Sequence, residues 1–114
     1  MDAHRLSLAL SVVVIRGTGY NPKKRTDSDR LAVEKDLDEI RTLAHLLCDV
    51  IPGSDSAWME WPVVSFAFIA EKDVLGEVGL LSDGRWAHHT DVDLEIRDPA
   101  ALASWLDARG VWLS

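Results

Sequence analysis

The sequence predicts an α+β fold of two layers, in which two helices cover one face of a mainly antiparallel sheet of four to five strands. Large apolar residues occupy the even positions from 6 to 14, the period of two that a half-buried strand requires. Apolar residues between 33 and 51 recur at steps of three and four, which places them on one side of a helix. The run from 63 to 96 is rich in β-formers and is interrupted by turn residues, which is typical of a meander. The predicted order is β-α-β-β-β-(β)-α, because stacking the helices on one sheet face buries both kinds of apolar surface.

The first apolar run could also belong to a secretory signal, because basic residues precede it and the small residues Gly17 and Gly19 follow it. Asp2 weakens the positive start of such a signal, and Arg16 interrupts the approach to a cleavage site. A signal helix has no need of the alternation between large and small residues. We therefore interpret the run as the first strand, with a cleaved segment spanning residues 1–19 as the alternative.

The long helix is predicted to begin near Ser28 and to end at Pro52. Thr26 and Asp29 have the spacing at which a hydroxyl and a carboxylate cap a helix N-terminus reciprocally, although Asp27 or Ser28 could act as the cap instead. A proline followed by glycine cannot continue a helix and marks its end. The apolar stripe of this helix consists of Val33, Leu37, Ile40, Ala44, Leu47 and Ile51.

Turn signals divide the second half of the chain. Asp83-Gly84 stands between apolar flanks and predicts a tight hairpin. Gly76 and Gly79 mark either a bulge or a place where another segment packs close to the backbone. Acidic and apolar residues alternate from 91 to 96, which predicts a last strand solvated on its acidic face.

The final helix is framed by cap signals at both ends. Asp98 followed by Pro99 is the pattern of an N-cap and a proline in the first turn, and Gly110 stands where a C-terminal cap belongs. Trp105 falls on the apolar stripe of this helix.

Length and charge limit the classes of protein. The 114 residues suit one domain, spanning 1–114. Residues 1–30 carry six basic and three acidic side chains, whereas 31–114 carry six and sixteen, for a net charge of -7. An acidic body repels nucleic acid and anionic membranes and favours a protein partner with a basic surface. No apolar run approaches the roughly 20 residues of a membrane span, so a cytoplasmic location is expected.

The one basic cluster could bind an anion. Gly17 and Gly19 are followed by Lys23, Lys24 and Arg25, and then by the predicted helix start. Backbone N–H groups, basic side chains and a helix N-terminus together make a phosphate site. The segment lacks the glycine spacing of a P-loop or a dinucleotide site, and a flexible, solvated connection is the other interpretation.

Histidine and cysteine give no clear reaction centre. In one continuous strand His88 and His89 project from opposite faces, so they cannot bind the same ion, and we predict neither a metal nor a cofactor. The lone Cys48 excludes an intrachain disulfide and is expected to be a small buried hydrophobe. His45 lies three residues before it, but a catalytic pair also needs an orienting third group. We therefore assign no catalytic residue and favour a protein that is not an enzyme.

Five tryptophans are many for a chain of this length. Trp86 and Trp105 are predicted to be in the core. The other three lie in or beside loops, where an indole either closes the end of a core or serves as a binding anchor. The predicted partner-binding residues are Trp58, Glu60, Trp61 and Trp112.

These observations predict a small acidic protein-interaction module without catalytic activity, such as an adaptor, an inhibitor or immunity-type protein, or a partner-recruiting domain. A homodimer is compatible with this function. The alternative is a small phosphate- or metal-binding enzyme subunit that uses the Gly17–Arg25 loop with His88 or His89. A nucleic-acid regulator is the least favoured class, because only residues 16–30 are basic.

Overall fold

The computed structural model describes residues 3–17, 30–53, 61–89 and 92–112. Its strands form one antiparallel six-stranded sheet of order β2-β1-β3-β4-β5-β6. The α+β class is thus confirmed, but the sheet is wider than the four to five strands predicted. The elements are α1 (Ala3–Leu6), β1 (Ser11–Arg16), β2 (Arg30–Glu34), α2 (Leu37–Cys48), β3 (Val64–Ala70), β4 (Asp73–Leu80), β5 (Trp86–His89), β6 (Val92–Glu95) and α3 (Pro99–Asp107).

The additional strand is β2, and the prediction of a helix that runs on from Ser28 was wrong. Residues 30–34 pair with β1, and the helix begins only at Leu37. Its N-cap is Asp36, whose side chain accepts hydrogen bonds from the N–H groups of Asp38 and Glu39. Val33 fits both the helical and the alternating period, so the pattern of apolar residues alone does not show that the helix begins after it.

The N-terminal run also differs from its prediction. The strand begins at Ser11, and the residues before it form the short helix α1, whose turn is closed by the N–H and hydroxyl of Ser7 on the Ala3 carbonyl. Leu8 and Leu10 are exposed as a result. Within β1 the four residues from 12 to 15 are all buried, because β1 lies inside the sheet rather than half-solvated as predicted.

The helices and the sheet share one apolar core. Alternate residues of the central strands, such as Val14 and Phe66, cluster with the buried side of each helix. Trp105 of α3 packs edge-on against Phe66, with ring centroids 6.2 Å apart. The helical members of this core are Leu6, Ile40, Leu43, Ala44, Leu47, Leu102, Trp105 and Leu106. None of the described helices is both long and apolar enough to cross a membrane.

Arg109, just beyond α3, joins three elements at the end of the molecule where α2 begins. Its guanidinium donates to Glu34 on β2 and, at 2.8 Å, to Glu39 on α2, and it lies 3.6 Å from the centroid of the Trp105 ring. Burial acts to raise the pKa of Glu34, but hydrogen bonds from the backbone of Asp36 and from Arg109 outweigh it and leave that pKa below 4.5. Glu34 is therefore ionised in the folded protein at neutral pH, and its carboxylate is paired with Arg109.

The two glycine signals in β4 mark a bulge beside Gly76 and, at Gly79, a place where another segment packs on the sheet. The β3–β4 pairing shifts register between Phe68 and Ile69, and a Cβ on Gly76 would lie 3.0 Å from Leu6. The predicted hairpin at Asp83-Gly84 joins β4 to β5, although its loop spans residues 81–85 rather than two. Gly84 has φ +72°, the left-handed conformation that favours glycine.

Candidate functional site

A row of side chains crosses five strands on the sheet face opposite Val14 and Phe66. Ile15, Ser65, Gly79, His88 and Asp93 occupy directly paired positions on β1, β3, β4, β5 and β6. Side chains of directly paired residues project from the same face, so these five positions are adjacent.

His88 and Asp93 form a hydrogen-bonded pair within this row. Their Nδ1 and Oδ1 atoms are 2.8 Å apart. His88 and Asp93 do not lie in one continuous strand, as assumed for the histidines, because β5 and β6 pair antiparallel with each other. Residues 90 and 91, between these strands in the chain, lie outside the described residues. This pairing places Asp93 directly opposite His88, and Asp93 is only 2% exposed instead of solvated as predicted.

The His88–Asp93 pair leaves one imidazole nitrogen available to accept a proton. When Nδ1 donates to a buried carboxylate, the imidazole is fixed in one tautomer and Nε2 is left as a proton acceptor. The His88 side chain is 32% exposed, so solvent or a bound group can reach the ring. Ser65, two strands away, offers no nucleophile, because its hydroxyl donates to the Gly17 carbonyl at 2.6 Å.

Gly79, in the middle of the row, allows another segment to rest on the sheet. A Cβ at this position would lie 2.5 Å from Cγ and 2.7 Å from Cβ of Pro62. Pro62 is buried there, and the following residue is tied to β4 by its N–H, which donates to the Leu80 carbonyl. Trp61 directly precedes this anchored proline and is 81% exposed.

The tryptophans divide into buried and exposed groups. Trp105 is buried, as predicted, and its indole N–H donates to the Glu39 carbonyl, whereas Trp86 is half-buried. Trp112 is 65% exposed, but its indole N–H is held by Asp107 at 2.9 Å. Trp61 and Trp112 come from opposite ends of the second half of the chain, and no ring contact joins these two described side chains. Two more predicted partner-binding residues, Trp58 and Glu60, lie outside the described residues.

Gly17 is the one member of the predicted anion site that lies among the described residues. Its N–H donates to the Val63 carbonyl at 2.8 Å, so that group is already engaged. The helix expected to adjoin the loop begins instead at Leu37, on the far side of β2. The remaining members, Gly19, Lys23, Lys24 and Arg25, lie outside the described residues.

An open groove of about 570 Å³ runs between α1 and α2. Cys48 and His45 both line it, and Cys48 is half-buried against the core rather than fully buried as predicted. Within residues 3–17, 30–53, 61–89 and 92–112, no three His, Cys, Asp or Glu side chains are arranged to hold a metal ion. The other polar side chains of the groove, Thr42 and Asp49, are engaged elsewhere, by the Asp38 carbonyl and by Arg97.

His89 is half-buried and carries a buried ring nitrogen that the sequence did not distinguish from that of its neighbour. Among the described side chains, its Nδ1 is buried without a hydrogen-bond partner. Burial lowers the pKa of His89 below 6.5, and the nearby charge of His88 lowers it further. A base whose pKa is lowered on folding stabilises the fold fully above its unfolded pKa, and that contribution is lost as the pH falls through the folded pKa.

Replacing His89 with leucine should make unfolding less sensitive to acid. We expect the wild type to lose stability as the pH falls below about 6.5, and H89L to lose less. Removal of the unpaired ring nitrogen should also raise the free energy of unfolding at neutral pH by about 1 kcal/mol. Urea unfolding at a series of pH values measures both effects. H45Q, changed on the exposed side of α2, should keep the wild-type pH dependence, and an unchanged profile for H89L would contradict the assignment.

Comparison of the chain with protein-family models, with curated proteins and with solved structures finds no match.

Proposed function

We propose that this protein is a non-catalytic interaction module that binds a protein partner through a surface centred on Trp61. The observation that carries the proposal is an 81% exposed indole directly beside a proline packed on the sheet at Gly79. An exposed tryptophan brings a large apolar area to a contact, and a fixed backbone reduces the entropy lost on binding.

The chain neighbours of Trp61, a second exposed tryptophan and the charge of the molecule complete the proposal. Trp58 and Glu60 immediately precede Trp61 in the chain, and we assign them to the same contact. Trp112 follows α3 and its indole N–H is already bonded to Asp107, so we assign it a secondary contact. Exposed acids of the α2 N-terminus and the net charge of -7 favour a partner with a basic surface.

The enzyme alternative is favoured by one observation, the orientation of His88 by buried Asp93. In that case His88 would act as a general base or as a ligand through Nε2. Two contacts weigh against catalysis: the Ser65 hydroxyl is engaged by Gly17, and Pro62 packs on Gly79 beside the imidazole. The two functions also respond differently to mutation, because H88Q removes a base but leaves the Trp61 surface in place.

Photocrosslinking from position 61 tests the proposal. The chain carrying a benzophenone amino acid in place of Trp61, expressed in the native host and irradiated, should form a covalent adduct with one protein that has a basic surface. The same photoreactive residue at Arg41, a 60% exposed side chain of α2, is the matched control and should not form this adduct. H88Q in the crosslinking chain should leave the yield unchanged. Identical adducts from both positions, or none from position 61, would contradict the proposed surface.

A further inference from the structure

The chain enters the sheet at Val63, and both backbone groups of this residue are held. Its N–H donates to the Leu80 carbonyl at 2.9 Å, and its carbonyl accepts from the Gly17 N–H at 2.8 Å. Val63 is therefore tied to the end of β4 on one side and to the end of β1 on the other. Trp61 precedes it by two residues, so these two bonds hold the backbone that leads to the exposed indole.

The hydrogen bonds at Gly17 depart from those of a regular ladder. Arg16 pairs with Val64, so the next antiparallel pair along β1 and β3 is Gly17 with Val63. In a regular hydrogen-bonded pair the two residues exchange both bonds, and the Val63 N–H would donate to the Gly17 carbonyl. That carbonyl instead accepts from the Ser65 hydroxyl at 2.6 Å, and Gly17, at φ +80°, has left the extended conformation.

Ser65 is placed to hold this arrangement. It is 0% exposed, and it projects from the same face of the sheet as Gly79, with which it pairs. A serine hydroxyl that bonds a backbone carbonyl offers the chain an alternative to the sheet ladder. Because the hydroxyl occupies the Gly17 carbonyl, the Val63 N–H is left to β4, and Pro62 stays against the sheet.

We propose that Ser65 is a positioning residue for Trp61, because its hydroxyl keeps Val63 on β4 and so fixes the backbone that presents the indole. Without the hydroxyl, the Val63 N–H moves to the Gly17 carbonyl, the ladder between β1 and β3 lengthens by one pair, and Pro62 lifts from the sheet. Ser65 is buried and cannot contact a partner, so its effect on binding passes through this backbone. The effect on binding rests on the proposed function of Trp61, whereas the exchange of hydrogen bonds does not.

Scalar couplings across hydrogen bonds, measured by NMR on the isotope-labelled protein, identify the acceptor of the Val63 N–H directly. In the wild type we expect a coupling from the Val63 nitrogen to the Leu80 carbonyl carbon. In S65A we expect a coupling to the Gly17 carbonyl carbon instead. A wild type without the Leu80 coupling, or S65A without the Gly17 coupling, would overturn the proposal.

Titration of the protein recovered by crosslinking measures the effect on Trp61. S65A should bind it about two- to tenfold more weakly than the wild type, because the freed segment must be ordered on binding. S7A is the matched control, since it removes a hydroxyl that donates to the Ala3 carbonyl over the same 2.6 Å, before β1 rather than after it. It should keep both the Leu80 coupling and the wild-type affinity.

The pattern of affinities separates this proposal from the proposed function. Wild-type affinity of S65A, with binding weakened in W61A, would overturn the positioning role and leave Trp61 as the anchor. Equal loss of affinity in S65A and S7A would also overturn the positioning role. Wild-type affinity of both S65A and W61A, with the coupling exchanged in S65A, would overturn the proposed function and leave the exchange of hydrogen bonds in place.

Discussion

Replacing Arg109 with methionine should lower the free energy of unfolding by about 3 kcal/mol, because it leaves a largely buried carboxylate without its counter-charge. Arg109 is 15% exposed and joins β2, α2 and α3 through Glu34, Glu39 and Trp105. Methionine retains much of the aliphatic volume but none of the hydrogen bonds. Urea unfolding of the purified variant at neutral pH measures the change.

The control and the pH profile separate this network from a general loss of charge. R41M removes a surface guanidinium that lies 3.9 Å from Asp38, and it should change stability by less than about 0.5 kcal/mol. The pKa of Glu34 is lowered in the fold, so its contribution is present above 4.5 and lost as the pH falls through the folded pKa. R109M should lose less stability than the wild type on acidification below pH 4.5. A R109M variant as stable as R41M would show that the three elements do not depend on this guanidinium.

Adding one methyl group at Gly79 should destabilise the protein by about 2 kcal/mol, since overpacking of an ordered site costs about 1–3 kcal/mol. The new Cβ would lie 2.5 Å from the ring of Pro62, which is rigid and cannot move aside by changing rotamer. The segment must therefore lift from the sheet and carry Trp61 with it. Urea unfolding gives the loss of stability, and the emission spectrum of the indoles reports the change around Trp61.

Two comparisons make this prediction specific. The Cβ added by G53A would meet no atom within 4 Å, so the only cost is that of holding alanine at φ +76°. This substitution should lower the free energy of unfolding by about 1 kcal/mol or less. In a P62G background the clash is absent, and G79A should then cost less than in the wild type, a coupling that a double-mutant cycle measures. Equal costs of G79A in both backgrounds would mean that Pro62 does not press on Gly79.

Local signals in the sequence were sufficient for part of the fold. The last helix has the expected limits, because Asp98 accepts from the N–H of Ala101 and Gly110 takes φ +72°. The Asp83-Gly84 hairpin and the buried Trp105 were also predicted. Each of these features depends on a few neighbouring residues, and the structure adds only the packing.

The strand β2 and the polar row could not be predicted in the same way. In five residues a period of two and a period of 3.6 both accommodate Val33, so the sequence does not choose between strand and helix. The row depends on strand register. Asp93 lies opposite His88 only because β5 and β6 pair antiparallel, and the sequence between these strands contains none of the Asn-Gly or Asp-Gly signals of a tight hairpin. The alternating acidic pattern therefore predicted a solvated Asp93, whereas in the structure Asp93 is buried and bonded to His88.

The proposed binding surface has one signal in the sequence and one that only the structure supplies. A tryptophan beside a predicted loop indicated a candidate anchor. Its support came from pairing Gly79 with Ser65 and His88, which shows where Pro62 can rest. Residues far apart in sequence thus fix the position of Trp61, and no local pattern contains that information.

Isothermal titration of the protein recovered by crosslinking tests the central claim most directly. We expect the wild type to bind it with a measurable heat, and W61A to bind at least about tenfold more weakly, as is typical of an interfacial tryptophan. W61A should unfold at the same urea concentration as the wild type, because the side chain is 81% exposed. W112A should weaken binding less. Unchanged affinity of W61A for that partner would contradict the assignment of Trp61 as the binding anchor.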